Sequence, residues 1–451
     1  MPSSIYLSAA HKSSGKTVVS LGLCAAFKAQ SLKVAAFKKG PDYIDPLWLT
    51  QASGNPCYNL DFYTMSKDEI ISLYGRHISS SDIAIIEGNK GLYDGMSVTG
   101  GDANADMAKL LNSSVILVID ATGITRGVAP LLKGYQVFDA EVNIAGVILN
   151  KVAGERHESK LIQAIEHYTD IPVLGAIRRS KDLAIDERHL GLVPANESAQ
   201  SQIFIDSTAK IIANQVDLEK ILSFNNEKPL ANTPAPITST SNLTIAVAKD
   251  QAFGFYYQDD VDAFKSLGVR VVYFDTLKTP KLPKCDGLFI GGGFPEMQLQ
   301  ALSTNTSLLN DIKLKIEQGL PTYAECGGLM YLSRKITYQG KSHKMAGVIQ
   351  ADTVMTPKPI GRGYVQLEPC NDHPWKKVAN KIYAHEFHYS KLENINPKTR
   401  YVYKVLRGVG VDNKHDGILA YNLLATYAHL RNVGNNHWVK QFVNFIHHVR
   451  S

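Results

Sequence analysis

The sequence predicts an α/β protein of two domains. Its 451 residues exceed what one hydrophobic core usually organises. Short runs of branched apolar residues alternate with segments of helical period, and this alternation stops once, in a stretch rich in Pro, Ser, Thr and Asn. With 44% hydrophobic and 20% charged residues, the chain is too apolar for a disordered protein.

Residues 1–223 are predicted to form the first domain, a parallel sheet covered by helices on both faces. Continuous apolar strands separated by amphipathic helices are typical of βαβ units. The predicted strands are Ile5–Ser8, Val34–Phe37, Ile83–Ile86, Val115–Ile119, Ile144–Leu149 and Val173–Ile177.

A linker is predicted over residues 224–242, where polar residues and prolines replace the apolar periodicity. Residues 243–451 then form a second α/β domain, whose length lies within the usual range. Its predicted strands are Leu243–Ala248, Val269–Phe274, Gly287–Ile290 and Pro321–Ala324.

Charge and cysteine usage exclude several classes of protein. The formal net charge is +6, but positive and negative residues are interspersed, which gives no support to a nucleic-acid partner. The cysteines Cys24, Cys57, Cys285, Cys326 and Cys370 lack the C-x-x-C spacing of a zinc site. We expect a reduced, cytoplasmic chain without a signal peptide or a membrane partner, because no apolar run approaches the roughly 18 residues of a membrane span.

The segment from Ala10 to Thr17 (AHKSSGKT) lies between the first predicted strand and a helical segment. In a phosphate-binding loop, backbone N–H groups hold the phosphates, a lysine neutralises the outer ones and the next hydroxyl binds Mg²⁺. Gly15, Lys16 and Thr17 stand at these places, although Ala10 replaces the first glycine of the general pattern. We predict a site for ATP and Mg²⁺; the alternative is a structural turn between strand and helix.

Three carboxylates are candidates for the nucleotide and its metal. Glu87 follows a predicted strand, at the edge where parallel sheets bind their ligands, and is assigned with Thr17 to Mg²⁺. Asp94 lies in a glycine-rich loop seven residues later, and Asp42 lies in the segment KGPDYIDP. Each could instead be a solvated loop carboxylate or a helix cap.

Cys326 stands between a short predicted strand and a helix, in the segment PTYAECGGLM. We expect this thiol to be exposed on a sharp turn, with the helix dipole favouring the thiolate. The alternative, a buried inert cysteine, fits Cys24 better. Oxyanion donors are predicted in the run GGGFPE, at the backbone N–H groups of Gly292 and Gly293.

Three histidines are candidates for the base that such a thiol needs. His385 and His388 lie three residues apart, so on a strand they would point to opposite faces and at most one could reach the thiol. His429 follows Leu423–Ala425, which together with Thr426 and Tyr427 has the character of a strand end. Spacing alone does not choose among them.

Taken together, these residues resemble the cobyrinate a,c-diamide synthase family, including its hydrogenobyrinate-using relatives. The matching segments occur in the family's order along nearly the whole chain. They are FKKGPDYIDP (37–46), ERHLGLVPA (187–195), GGGFPE (291–296), ECGG (325–328), HEFHYS (385–390) and YAHL (427–430).

The resemblance implies a dethiobiotin-synthetase-like P-loop domain joined to a class I glutamine amidotransferase domain. It implies that glutamine is hydrolysed at Cys326 through a thioester and that ATP activates a carboxylate of a tetrapyrrole as an acyl phosphate. The ammonia then displaces the phosphate. The family's acidic synthetase residues would be Asp42, Glu87 and Asp94, and its thiol-activating histidine would be His429.

The sequence departs from the family pattern in three places. Ala10 and Ser13 make the phosphate loop poorer in glycine, and Asn89-Lys90 replaces a small or apolar pair, as in a sub-branch that works on sirohaem-type rings. Arg431 stands where the amidotransferase class usually has a glutamate. We therefore expect a Cys326–His429 dyad whose imidazole is oriented by a group that the sequence does not identify, with His385 and His388 as ring-carboxylate contacts or structural residues.

Three other functions share part of this pattern. Cobyric acid synthase has the same two domains, but the HEFH segment is characteristic of the a,c-diamide enzymes rather than of that relative. Amidation of hydrogenobyrinate or a sirohydrochlorin-type ring is harder to distinguish from amidation of cobyrinate. A P-loop ATPase switch protein would have no use for Cys326 and His429, so glutaminase activity distinguishes it. The expected partners are ATP, L-glutamine and cobyrinate or a related tetrapyrrole; a homodimer stays an open alternative.

Overall fold

The computed structural model describes residues 2–185, 187–188, 191–198, 200–224, 241–376 and 379–451. Its contacts divide the chain into two compact units, Met1–Pro234 and Ala235–Ser451. Most of the predicted linker, and His189 and Leu190 of the segment ERHLGLVPA, lie outside the described residues.

The first unit contains the predicted parallel sheet. Its seven strands are all parallel and have the order β3-β2-β4-β1-β5-β6-β7. They are β1 (Ser3–Ala9), β2 (Val34–Lys39), β3 (Cys57–Leu60), β4 (Ile83–Glu87), β5 (Ser114–Asp120), β6 (Ile144–Val152) and β7 (Val173–Arg178). A two-residue pair, β8 (Glu187–Arg188) and β9 (Gly191–Leu192), follows.

Helices cover both faces of this sheet, as predicted. They are α1 (Lys16–Ala29), α2 (Ile44–Ser53), α3 (Lys67–Ile78), α4 (Asn104–Leu110), α5 (Val128–Phe138), α6 (Glu155–Tyr168), α7 (Ser201–Gln215) and α8 (Leu218–Leu222). On one face, Ala36 shares a core with residues of α1, α2 and α7. On the other, Phe37 contacts Tyr74 of α3 at a ring distance of 5.0 Å. Neighbouring residues of β2 thus serve opposite faces, as strand geometry requires.

The second unit is built on a nine-stranded mixed sheet of order β11-β10-β12-β13-β22-β21-β20-β17-β18. Its parallel part comprises β10 (Thr244–Ala248), β11 (Arg270–Phe274), β12 (Gly287–Ile290), β13 (Thr322–Glu325) and β22 (Leu423–Thr426). Its antiparallel part comprises β17 (Gly361–Pro369), β18 (Ile382–His388), β20 (Arg400–Arg407) and β21 (His415–Ala420). A smaller sheet contains β14 (Lys335–Tyr338), β15 (Lys341–Lys344), β16 (Asp352–Met355) and β19 (Ser390–Glu393).

Two hydrophobic cores lie on opposite faces of the larger sheet. In β10, Ile245 and Val247 belong to one core, whereas Ala246 and Ala248 belong to the other. The helices of this unit are α9 (Gln258–Ser266), α10 (Leu299–Thr304), α11 (Thr306–Glu317), α12 (Gly327–Leu332) and α13 (Trp438–Arg450). The unit is therefore an α/β body with buried parallel strands, which matches the predicted fold class.

Every strand predicted above has an observed counterpart whose ends differ by a few residues. Strand β3 was missed because its four residues, CYNL, include no Val or Ile. Strands β14 to β21, most of whose pairings are antiparallel, were also missed, since they mix apolar and polar residues. No helix within the described ranges is long and apolar enough to cross a membrane.

Candidate active sites

The predicted phosphate loop connects β1 to α1, and its last turn requires glycine. Gly15 adopts a left-handed φ of 89° immediately before α1. A Cβ atom at this position would lie 2.1 Å from Nδ2 of Asn150, which itself donates a hydrogen bond to the Ser14 carbonyl at 2.9 Å. The loop is thus held against the end of β6, with the N-terminus of α1 behind it.

Lys16 and Thr17 both point toward the end of β4. Nζ of Lys16 is buried and donates to the carbonyl oxygen of Lys90 at 2.6 Å. Burial is the main cause that lowers the pKa of Lys16. Oγ1 of Thr17 donates to Oε1 of Glu87 at 2.7 Å. The structure therefore brings three predicted site residues together.

Glu87 is the last residue of β4 and is completely buried. Its Oε1 accepts a hydrogen bond from Nζ of Lys38 at 2.9 Å, and the same ammonium lies 2.5 Å from Oδ2 of Asp45. Burial raises the pKa of Glu87 to about 7, against the opposing charge of Lys38. Among the described residues, Oε2 of Glu87 has no hydrogen-bond partner.

Sequence reasoning missed Lys38 and Asp45, although both lie in the segment FKKGPDYIDP. A signal was present, because Lys38 and Lys39 are two charged residues at the end of a strand whose other residues are all apolar. Such a residue is rarely buried without a partner of opposite charge.

Asp42 and Asp94 hold backbone turns beside this cluster. Oδ1 of Asp42 accepts from the backbone N–H groups of Ile44 at 2.9 Å and Asp45 at 3.1 Å, at the start of α2. Burial, and next to it the charge of Asp45, raises the pKa of Asp42 to about 6. Oδ2 of Asp94 accepts from the N–H of Gly91 at 2.9 Å. These contacts fit the alternative that Asp42 caps a helix and Asp94 holds a loop. A role of either residue in nucleotide binding stays a prediction.

Cys326 occupies the predicted sharp turn between β13 and α12. Its φ of 47° and ψ of −99° are strained for a non-glycine residue, and strain of this kind clusters at functional sites. The expectation of an exposed thiol is wrong, because Cys326 is 7% exposed. Burial raises the pKa of this thiol above its usual range, and the charges of Glu296 and Glu325 add to the effect.

The burial of Cys326 follows from the close approach of two glycine segments. Gly328 donates its N–H to the carbonyl of Gly291 at 3.1 Å, and a Cβ atom on Gly328 would lie 2.1 Å from the Ile290 carbonyl oxygen. A Cβ atom on Gly327 would lie 3.1 Å from the backbone nitrogen of Gly293. The glycine run that was predicted to supply oxyanion donors therefore lies directly against the turn that carries the thiol.

His429 lies at the same place, three residues after β22, and the predicted strand end is confirmed. A Cβ atom on Gly292 would lie 2.6 Å from Cε1 of the His429 ring. The His429 backbone N–H donates to the His385 carbonyl at 2.8 Å, and the two rings stack with centroids 4.9 Å apart. Nδ1 of His429 lies 3.5 Å from Oε2 of Glu325, a residue that sequence reasoning did not single out.

His385 and His388 both lie on β18, as predicted for a strand, and both are buried. Nδ1 of His385 is 3.1 Å from the Tyr257 hydroxyl, and burial lowers its pKa well below the usual value. His388 stacks on Tyr427 at 4.0 Å, and its Nε2 lies 3.5 Å from Glu386. These contacts lie inside the second unit and fit the structural alternative for the two histidines.

Arg431, two residues after His429, is paired with a carboxylate of α9. Its Nε lies 2.7 Å from Oδ2 of Asp259, and its guanidinium lies over the Tyr257 ring at 4.9 Å. The position that usually carries a glutamate in this class therefore holds a cation with its own carboxylate partner, and orientation of the imidazole has to come from elsewhere.

Two family models match this chain, one in each unit. Residues 9–193 match the CobQ/CobB/MinD/ParA nucleotide binding domain, and residues 244–436 match the CobB/CobQ-like glutamine amidotransferase domain. A solved glutamine amidotransferase is similar to 45% of this chain and 98% of its own, at 13% identity and a TM-score of 0.34.

Three relatives that match nearly the whole chain have the same name, cobyrinate a,c-diamide synthase. The chain is 42% identical to the cobyrinate a,c-diamide synthase of Magnetococcus marinus, over 98% of this chain and 96% of the relative. It is 39% identical to the enzyme of the same name from Dehalococcoides mccartyi, over 97% of each chain. The relative from Methanosarcina acetivorans is 38% identical over 95% of this chain and 92% of its own. The chain belongs to the cobyrinate a,c-diamide synthase family.

Proposed function

We propose that this protein is a glutamine-hydrolysing amidoligase that converts the a and c side-chain carboxylates of cobyrinate into amides, a step of cobalamin biosynthesis. The observation that carries the proposal is the presence, in one chain of this family, of a strained thiol turn with an adjacent histidine and of a phosphate loop with a buried carboxylate. The first supplies nitrogen from glutamine, and the second uses ATP to activate the acceptor.

At the thiol site, we assign Cys326 as the nucleophile and His429 as its base. The thiol gives its proton to the imidazole, and its sulfur attacks the side-chain amide carbon of glutamine. We assign the N–H groups of Gly292 and Gly293 as donors to the oxyanion. The position of the Gly293 nitrogen, 3.1 Å from where a Cβ atom on Gly327 would lie, supports this assignment. The imidazolium then protonates the leaving ammonia, and water hydrolyses the thioester to glutamate.

At the phosphate site, a carboxylate oxygen of the ring attacks the γ-phosphate of ATP, and ADP leaves. Ammonia then attacks the acyl carbon of the acyl phosphate, and inorganic phosphate departs. We assign Lys16 to the outer phosphates and Gly15 to the turn that lets backbone N–H groups face them. Lys38 holds Glu87 and Asp45 in place, and Asp42 and Asp94 shape the bordering loops.

Thr17 and Glu87 fit a Mg²⁺ ion. A hydroxyl and a carboxylate oxygen already lie 2.7 Å apart, and the second oxygen of Glu87 has no hydrogen-bond partner in the described part of the chain. Oxygen ligands of this kind suit Mg²⁺, which when bound neutralises phosphate charge.

The expectations of a cytoplasmic setting, of no nucleic-acid or membrane partner and of a possible homodimer are part of the same proposal. The described cysteines are all free thiols, as a reduced compartment would leave them. Positive and negative residues are interspersed along the sequence, which gives no support to a nucleic-acid partner.

The test is an amidation assay with ATP and either glutamine or ammonium chloride, comparing the wild-type protein with Cys326→Ala. We expect the variant to lose glutamine-dependent turnover and to keep ammonia-dependent turnover, because the thiol only supplies nitrogen. If a folded variant lost as much turnover with ammonia as with glutamine, the assignment of nitrogen supply and carboxylate activation to two separate sites would be contradicted. Cobyrinate, hydrogenobyrinate and sirohydrochlorin are offered in parallel, and turnover of one of the last two alone would reassign the ring.

A further inference from the structure

We propose that Glu325, the residue directly before the nucleophile, is the positioning residue that orients His429. The inference rests on the proposed function of Cys326 and His429 and adds the group that holds the imidazole. Oε2 of Glu325 lies 3.5 Å from Nδ1 of His429, and both side chains are 3% exposed.

The Glu325 carboxylate is itself fixed by two donors. Its Oε1 accepts a hydrogen bond from the Tyr323 hydroxyl at 2.5 Å and from the backbone N–H of Leu430 at 2.8 Å. Leu430 is the neighbour of His429, so this second bond ties β13 to the segment that carries the base. One oxygen is therefore held in place and the other faces the imidazole.

A catalytic imidazole needs such a carboxylate for a definite reason. A base that takes the thiol proton at Nε2 must carry its own hydrogen on Nδ1, and an acceptor beside Nδ1 selects this tautomer and stabilises the imidazolium that forms. Glu325 lies beside Nδ1, and the proposal assigns Nε2 to the thiol proton. The usual position for this carboxylate, two residues after the histidine, holds Arg431, which is paired with Asp259.

The charged and titratable groups around His429 come from several elements. Glu325 approaches from the end of β13, next to the turn that carries Cys326, and His385 approaches from β18. Burial keeps His385 neutral by lowering its pKa, so it cannot replace the carboxylate as a partner for an imidazolium. Glu325 is a carboxylate beside the His429 ring, with Oε2 at 3.5 Å from Nδ1.

The direction in which Glu325→Gln changes the alkylation rate of Cys326 distinguishes orientation of His429 from a simple effect of the Glu325 charge on the thiol. The charge of Glu325 raises the pKa of the Cys326 thiol. If Glu325 acted only in that way, Glu325→Gln would speed alkylation of Cys326. If Glu325 orients His429, the same change leaves the base in the wrong tautomer and slows alkylation by at least about tenfold.

The experiment measures the rate at which iodoacetamide alkylates Cys326 at pH 7, by mass spectrometry of its peptide, because Cys285 and Cys370 are partly exposed. We expect Glu325→Gln to be slow, and we expect the change to cause no further slowing in a His429→Asn background, since it acts through that ring. An unchanged or faster rate in Glu325→Gln, or an additive loss in the double variant, would overturn the inference.

Two further variants keep the test decisive. Glu386→Gln is the matched control, because Glu386 is a buried carboxylate 3.5 Å from His388, and it should leave the alkylation rate within about twofold of wild type. If Glu325→Gln does not fold, Tyr323→Phe removes one of the bonds that fix the carboxylate and should slow alkylation only when His429 is present. Failure of the proposed function would instead appear as a wild-type protein that hydrolyses no glutamine.

Discussion

Replacing Gly292 with alanine tests whether the glycine run and His429 form one site. A Cβ atom on Gly292 would lie 2.6 Å from Cε1 of His429. The φ of Gly292 lies outside the left-handed region, so its backbone accepts alanine. The ring is thus the nearest obstacle to the new methyl group.

The size of the effect follows from the distance that the ring must move. Ordinary contacts begin at 3.4 Å, so the imidazole has to shift by about 0.8 Å. His429 cannot shift freely, because its ring stacks on His385 and its backbone N–H is bonded to the His385 carbonyl. A misplacement of about 1 Å in a catalytic group costs about 10²-fold in rate, or about 2.7 kcal/mol in the activation free energy.

We therefore expect Gly292→Ala to lower kcat for glutamine hydrolysis by about 10²-fold, with ammonia-dependent amidation unchanged. Gly134→Ala is the control, because Gly134 lies within α5 and an added Cβ atom meets nothing within 4 Å. A wild-type kcat in Gly292→Ala would refute the placement of His429 against the glycine run. An equal fall in ammonia-dependent amidation would show a general rather than a local defect.

Three further predictions concern single side chains. Lys16→Ala should abolish amidation with either nitrogen source while basal glutaminase persists, and ATP-dependent activity in that variant would exclude the phosphate loop as the nucleotide site. Glu87→Gln should gain stability relative to wild type as pH rises from about 4.5 to about 7, because in this range Glu87 keeps its proton in the folded protein and loses it in the unfolded chain. Urea unfolding at both ends of the range measures the free energy of unfolding of each protein, and a difference between the two proteins that stays constant with pH would contradict the raised pKa. His429→Asn should slow alkylation of Cys326 at pH 7, because the buried thiol, whose pKa burial raises, then lacks its base. His388→Asn, which removes contacts to Tyr427 and Glu386, should keep the wild-type rate, and the reverse result would reassign the base.

The parts of the sites that could be predicted are those encoded by residues close together in the chain. A short strand is followed closely by a turn and a helix at two places, before Lys16 and around Cys326, and glycines stand in or beside both turns. Local patterns were therefore sufficient to place both turns. Glu87 could be placed by the same means, since it ends a continuous apolar strand.

The remaining features depend on which strands become neighbours, and no local pattern carries that information. Lys38 meets Glu87 because β2 and β4 pair in parallel, although the two residues are 49 positions apart. Glu325 meets His429 because β13 pairs with β22, and the same packing encloses Cys326, which the sequence alone presented as an exposed thiol. Glycines and strand ends determined where the two sites begin, whereas the order of strands in each sheet decided which charges surround them, because burial and pairing arise only when distant segments pack together.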